Sequence, residues 1–116
     1  MGEQSADIEH YPEVRRWIGA AGYADRPADL SAVLDSLRGF CEFTGRTPTE
    51  LVEACLRPTA QGMAISGKGR RDVQAAIDDY VRQRGLSGRE ANVIGNHVRG
   101  FLVHNGVFLQ GRASIS

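Results

Sequence analysis

The chain has 116 residues, enough for one domain with a single modest core. Hydrophobic residues make up 41% and charged residues 24%, an ordinary soluble balance, and no apolar run approaches the roughly 18 residues that a membrane span needs. Fourteen basic residues against 14 acidic ones give a formal net charge of zero, which argues against a crudely basic nucleic-acid binder.

The distribution of charge softens that objection. Glu3, Asp7, Glu9 and Glu13 crowd the first 13 residues, which contain no Lys or Arg; setting these four aside leaves 14 basic against 10 acidic residues. Residues 1–10 show no periodicity and read as a mobile acidic tail on a mildly basic body. The N-terminus lacks a signal-peptide pattern, and Cys41 and Cys55 sit in helical patterns without metal-ligand spacing. They read as small buried hydrophobes of a reducing compartment, so the expected address is cytoplasmic.

In chain order, residues 12–20 predict a short helix with Val14, Trp17 and Ile18 on one side, Trp17 packing it onto the core. Gly19, Gly22 and Pro27 then punctuate a linker. A longer helix is expected over 27–43, capped by Asp25 or Asp29, with Leu30, Val33, Leu34, Leu37, Phe40 and Cys41 as its apolar stripe. Gly45 ends it. Thr47-Pro48-Thr49-Glu50 opens the next helix as a capping box with Pro at the first helical position, and Leu51, Val52, Cys55 and Leu56 face inward until Pro58 prevents continuation.

Residues 57–71 then lapse into Pro, Gly, Ser and Thr around Arg57, Lys68, Arg70 and Arg71, with no acidic residue. The stretch reads as a long mobile loop, either functional or simply solvated. Its Gly67-Lys68-Gly69 invites a phosphate-binding reading, but the G-x-x-x-x-G-K-[ST] motif is incomplete and no strand is expected before it, so no nucleotide site is predicted. A third main helix is expected over 72–84, with Val73, Ala76, Ile77, Tyr80 and Val81 inward and Asp78 paired to Arg82 outside. Gly85 stops it.

The last helix follows Ser87-Gly88-Arg89-Glu90, which has the pattern of a second capping box. Ala91, Ile94, Val98, Phe101 and Leu102 recur on one face; Asn105-Gly106 supplies a left-handed stop, and Val107-Phe108-Leu109 returns apolar chain to the core. At about 100° per residue Arg89, Asn92, Asn96 and Arg99 gather on the opposite face. Arg pairs bidentately with guanine or phosphate and Asn with adenine, so this face suits a DNA major groove; the plain alternative is a solvated polar surface. Leu34, Leu37, Phe40, Ile77, Val81, Ile94, Val98 and Phe101 form the expected core, and the class is all-α, with no strand unless at 107–109.

Three stretches together carry a resemblance. They are Leu34-Asp35-Ser36-Leu37-Arg38-Gly39-Phe40-Cys41-Glu42-Phe43-Thr44-Gly45-Arg46-Thr47-Pro48, Tyr80-Val81-Arg82-Gln83-Arg84-Gly85-Leu86-Ser87, and Asn96-His97-Val98-Arg99-Gly100-Phe101-Leu102-Val103-His104-Asn105-Gly106-Val107. In this order they resemble the N-terminal core-binding domain of tyrosine recombinases (phage integrases), most like archaeal members, over roughly residues 12–109 with 57–71 unmatched. The resemblance implies a SAM-like bundle of four main helices over 12–110, with a disordered acidic tail over 1–11 and a C-terminal tail or linker over 111–116.

It also implies double-stranded DNA as partner, held near a crossover site during integration or recombination, a nucleoid-associated location, and contacts with further copies or recombinase subunits. No cofactor, metal or membrane contact is expected. The family's catalytic domain, with its Arg/Lys/His-x-x-Arg/Tyr set, has no counterpart here, and His97-Val98-Arg99 is one residue short of a His-x-x-Arg pair. A non-catalytic piece is therefore expected: a solitary domain, a remnant, or a domain cut from a longer enzyme. The expected DNA contacts are Arg57, Lys68, Arg70, Arg71, Arg89, Asn92, Asn96 and Arg99. A helical protein–protein module derived from an integrase is the alternative; an enzyme is disfavoured because His10, His97 and His104 are scattered.

Overall fold

The computed structural model describes residues 7–107. A 3-10 turn at Asp7–His10 leads into α1 (Pro12–Ala21), and a second at Tyr23–Asp25 leads into α2 (Pro27–Thr44) and α3 (Pro48–Ala54). A hairpin of β1 (Leu56–Thr59) and β2 (Gly62–Ile65) follows, then α4 (Gly67–Gln83) and α5 (Gly88–Val103). The protein is mostly helical, with one small two-stranded sheet among the described residues. Among the described residues no helix is long and apolar enough to cross a membrane. Ile8 is already buried, so residues 7–10 belong to the body although they fall within the stretch 1–11 expected to be a tail. Residues 1–6 of that tail, the apolar return at Phe108 and Leu109 and the stretch 111–116 lie outside the described residues.

The helix starts differ instructively. Pro12, Pro27 and Pro48 each open a helix, where a missing N–H removes no hydrogen bond. At α3 the box forms as expected: Glu50 N donates to Thr47 Oγ1 at 3.1 Å and Thr47 N to Glu50 Oε1 at 2.9 Å. The box expected at Ser87 does not. Ser87 holds the N-cap position, but Gly88 takes the left-handed region at φ 61°, and the Ser87 hydroxyl makes no capping bond. A capping box needs right-handed backbone from the first helical residue, so the hydroxyl and the third amide no longer face one another. The cap of α2 is Arg26 rather than Asp25 or Asp29; Asp29 instead sits in the first turn, paired to Arg26 at 3.4 Å.

α2 is the spine of the core. Its Val33, Leu34, Leu37, Phe40 and Cys41 are buried against Val98, Phe101 and Leu102 of α5 and Val73, Ile77 and Tyr80 of α4. Trp17 is 1% exposed and meets Phe101 edge-on at 5.5 Å and Tyr23 at 5.9 Å, so α1 is pinned by aromatic packing as the sequence suggests. Of the expected core, Val81 and Ile94 reach only the half-buried rim, as does Leu30. The end of α5 is tied to α1 by Asn105, whose Nδ2 donates to Phe101 O at 2.8 Å and Glu13 O at 3.0 Å while Arg16 donates to its Oδ1 at 2.6 Å. Gly106 at φ 88° then turns the chain so that Val107 is buried.

Residues 57–71 overturn the expectation of a mobile loop. β1 and β2 pair antiparallel in the register Leu56↔Ile65, Arg57↔Ala64, Pro58↔Met63 and Thr59↔Gly62. Thr59 Oγ1 closes the turn, accepting from Gln61 N at 3.2 Å and donating to Gly62 O at 2.7 Å. Ser66 caps α4 by accepting from Gly69 N at 3.0 Å, so the helix begins at Gly67 rather than Asp72 and does follow a strand. Strands of four residues with no fully buried side chain show no period-two signal, and Pro58 in a two-stranded ribbon removes no ladder that a third strand needs. The outer pairing of α4 also differs: Arg82 bonds Asp79 at 2.7 Å, and Asp78 accepts from Gln74 at 3.4 Å.

Candidate nucleic-acid interface

With Val98, Phe101 and Leu102 turned to the core, α5 presents Arg89, Asn92 and Asn96 to solvent. Arg99 is half-buried: its guanidinium lies back over Gly95, where a Cβ would crowd it, and Nη2 donates to Asn96 Oδ1 at 2.9 Å. That bond uses the Asn96 carbonyl oxygen and leaves its amide nitrogen as a donor. Val93, 43% exposed, completes the face; sequence reading missed it because a valine at a helical position is ordinarily assigned to the core. An apolar side chain among Arg and Asn is what contact with a thymine methyl needs.

His97, on the flank of the same helix, faces inward. Its Nδ1 is 2.8 Å from the Oγ of Ser36, which is buried on α2 and also 3.1 Å from the Ala32 carbonyl. The serine has one proton to give. If it goes to Ala32 O, His97 Nδ1–H donates to Ser36; the alternative tautomer reverses that bond. Burial lowers the His97 pKa, with Asp29 pulling the other way. The imidazole thus ties α5 to α2 through Ser36.

The second group of expected contacts forms a cluster at the start of α4. Lys68 and Arg71 are exposed and Arg70 half-buried, all within the first turns of a helix that has no carboxylate in its first turn. Lys68 Nζ reaches Asp72 Oδ2 at 2.8 Å, and that bond chiefly holds the Asp72 carboxyl below its ordinary range, helped by the Arg71 and Arg46 charges. Arg46, at the turn between α2 and α3, thus joins the cluster from outside its sequence neighbourhood. The Cys55 thiol lies within reach of Arg46 and Arg70, yet burial outweighs both charges and pushes it up to about 11. Burial likewise pushes Cys41 up to about 12, so neither thiol is a nucleophile near neutrality. Arg57 is exposed on β1.

Cations at the N-terminus of a helix oppose its dipole, at about 0.3–1 kcal/mol each. Arg46, Lys68, Arg70 and Arg71 cluster around Asp72 and give this end of α4 a basic field. The complement of such a field is an anion. The α5 face stands elsewhere: α4 rises about 25 Å over its 17 residues, and Arg89 follows its far end. The structure brings Arg46 to Lys68, Arg70 and Arg71 around Asp72, and Asn96 to Arg99 on α5.

Comparison with protein-family models, with curated proteins and with solved structures finds no match to this chain. Among the described residues no group of three or more His, Cys, Asp or Glu could hold a metal ion. Tyr80 has an arginine bonded to its hydroxyl, Arg84 Nη1 donating at 2.8 Å, but it is buried against Gly39.

Proposed function

We propose that this chain is a duplex-DNA-binding helical domain of the tyrosine-recombinase core-binding kind, with a SAM-like arrangement, that holds DNA near a crossover site and does no chemistry itself. The observation that carries the reading is the gathering of Arg46 with Lys68, Arg70 and Arg71 at the positive end of α4, where the helix dipole and four cations favour phosphate. The α5 face, with Arg89, Asn92, Asn96 and the exposed Val93, supplies base-edge contacts, and Arg57 on the hairpin supplies a flanking phosphate contact. Catalysis has little to use here, since Tyr80 is out of reach of a phosphodiester and both thiols are held protonated.

An integrase-derived protein–protein module is the second reading, favoured by the exposed Phe43, Met63 and Val93. An electrophoretic shift assay on the whole chain at two salt concentrations separates them. DNA binding through phosphate contacts weakens steeply as salt rises. No shift at either salt would turn the assignment to a protein partner.

A further inference from the structure

A cleft of about 260 Å³ opens between the C-terminal end of α2 and the side of α4. Its floor is apolar, made by Phe40, Leu51, Val73 and Ala76, and Phe43, Arg46 and Asp72 stand at its edge. It lies slightly below the ~300 Å³ at which pockets for drug-sized ligands begin. Phe43 is 37% exposed and does not hang free: its ring leans on Tyr80 at 5.4 Å, and Tyr80 leans on Phe40 at 5.6 Å. Tyr80 is itself locked, its hydroxyl bonded by Arg84 and seated over Gly39, where any Cβ would overlap it. The exposed ring is therefore a preorganised flat surface.

The mouth of the cleft belongs to the basic cluster. Arg46 lines the cleft, and Lys68 and Arg71 act on Asp72 at the same edge. Asp72, whose carboxyl is bonded by Lys68, can also accept a hydrogen bond from an exocyclic amino group, as carboxylates do from cytosine. Asp79, also at the cleft, has its carboxylate engaged by Arg82 at 2.7 Å. An aromatic platform, a backbone-binding cation cluster beside it and one hydrogen-bond acceptor are the parts from which proteins build sites for unstacked bases.

We infer that the cleft between α2 and α4 receives a single unpaired base of the bound DNA, stacked on Phe43, with its flanking phosphates on Arg46, Lys68 and Arg71. This rests on the DNA-binding reading above. The positive mouth is what selects a nucleotide over an apolar side chain from a protein partner, because it complements the phosphates attached to the ring.

The test compares two otherwise identical duplexes, one carrying a single unpaired adenine, titrated against the whole chain by fluorescence anisotropy at one salt concentration. The unpaired base should tighten binding about 5- to 150-fold, the equivalent of ~1–3 kcal/mol for one base on an aromatic ring. Phe43→Leu, which keeps the bulk and loses the ring, should abolish the preference and leave affinity for the paired duplex unchanged. Phe43→Trp should keep or enlarge the preference. Lys68→Ala with Arg71→Ala should weaken both duplexes. Equal affinity of the wild type for the two duplexes, or a preference that survives Phe43→Leu or vanishes in Phe43→Trp, overturns the base site while leaving duplex binding intact. If the wild type binds neither duplex, the base site and the DNA-binding reading both fall.

Discussion

His97 of α5 and Ser36 of α2 meet at 2.8 Å across the seam between the two helices, with Ser36 2% exposed. Burial makes protonation of His97 harder in the folded chain than at the ordinary 6.5. The unfolded chain therefore binds more protons as pH falls through 6.5, and stability rises with pH over the window from the lowered folded value up to 6.5. The melting temperature should be fully developed above that window and decline as pH drops through it. His97→Gln should flatten this part of the profile. A His97→Gln variant with the wild-type slope would assign the proton uptake to another group.

Phe101 is fully buried and takes the edge of Trp17 at 5.5 Å, so its removal opens a cavity where α1, α2 and α5 converge. Phe101→Ala should cost about 3–5 kcal/mol, comparable with the whole stability of a small domain. Denaturant melts followed by the tryptophan signal measure it, since Trp17 is the sole tryptophan. An unchanged midpoint would remove Phe101 from the core.

Two glycines of α4 should respond oppositely. A Cβ at Gly69 would overlap the Ala54 carbonyl oxygen and crowd the backbone of Cys55, whereas one at Gly67 would meet only the tip of Arg71. Gly69→Ala should destabilise by roughly 1–3 kcal/mol because backbone must move. Gly67→Ala should be neutral or stabilise by up to about 1 kcal/mol through helix propensity. If Gly69→Ala is silent, the first turn of α4 is not seated on the end of α3. Amide exchange over β1, β2 and the first turn of α4 should then be slow relative to a loop, and Ser66→Ala, which removes the cap, should cost about 0.5–2 kcal/mol.

Arg89→Ala and Arg99→Ala should weaken DNA binding without altering the fold, since both lie off the apolar stripe. Loss of a base-reading arginine should cost about 1–3 kcal/mol and relax sequence preference. Removing Lys68 or Arg71 should instead weaken every sequence alike and lower the salt slope by about one per phosphate contact. Asp78, bonded to Gln74 on the outer side of α4, is the control: Asp78→Ala should leave affinity unchanged or slightly improved. Wild-type affinity in the Arg89/Arg99 double variant with loss in Asp78→Ala would reverse the assignment of faces.

Local chemistry was legible in the chain itself. The α2 stripe from Val33 to Cys41, the α5 stripe of Val98, Phe101 and Leu102, the Thr47 box and the stops at Gly45, Gly85 and Gly106 are set by contacts within a few residues. Their energies are mostly present in the segment alone, so the pattern predicts them. The α5 polar face follows from the same periodicity, although what it binds does not.

Tertiary contact decided the rest. Gly67 and Gly69 read as loop because glycine weakens an isolated helix, yet Gly69 is there so that α4 can sit against the Ala54 carbonyl. Ser87 has the right neighbours for a box and loses it to the left-handed turn at Gly88 that leads α5 out of the α4 stop. Arg46 joins Lys68, Arg70 and Arg71, and Phe43 becomes the lip of a cleft, only because α2, α3 and α4 converge there. Helical periodicity says which side of one helix is wet; which wet sides become neighbours depends on packing between segments far apart in the chain.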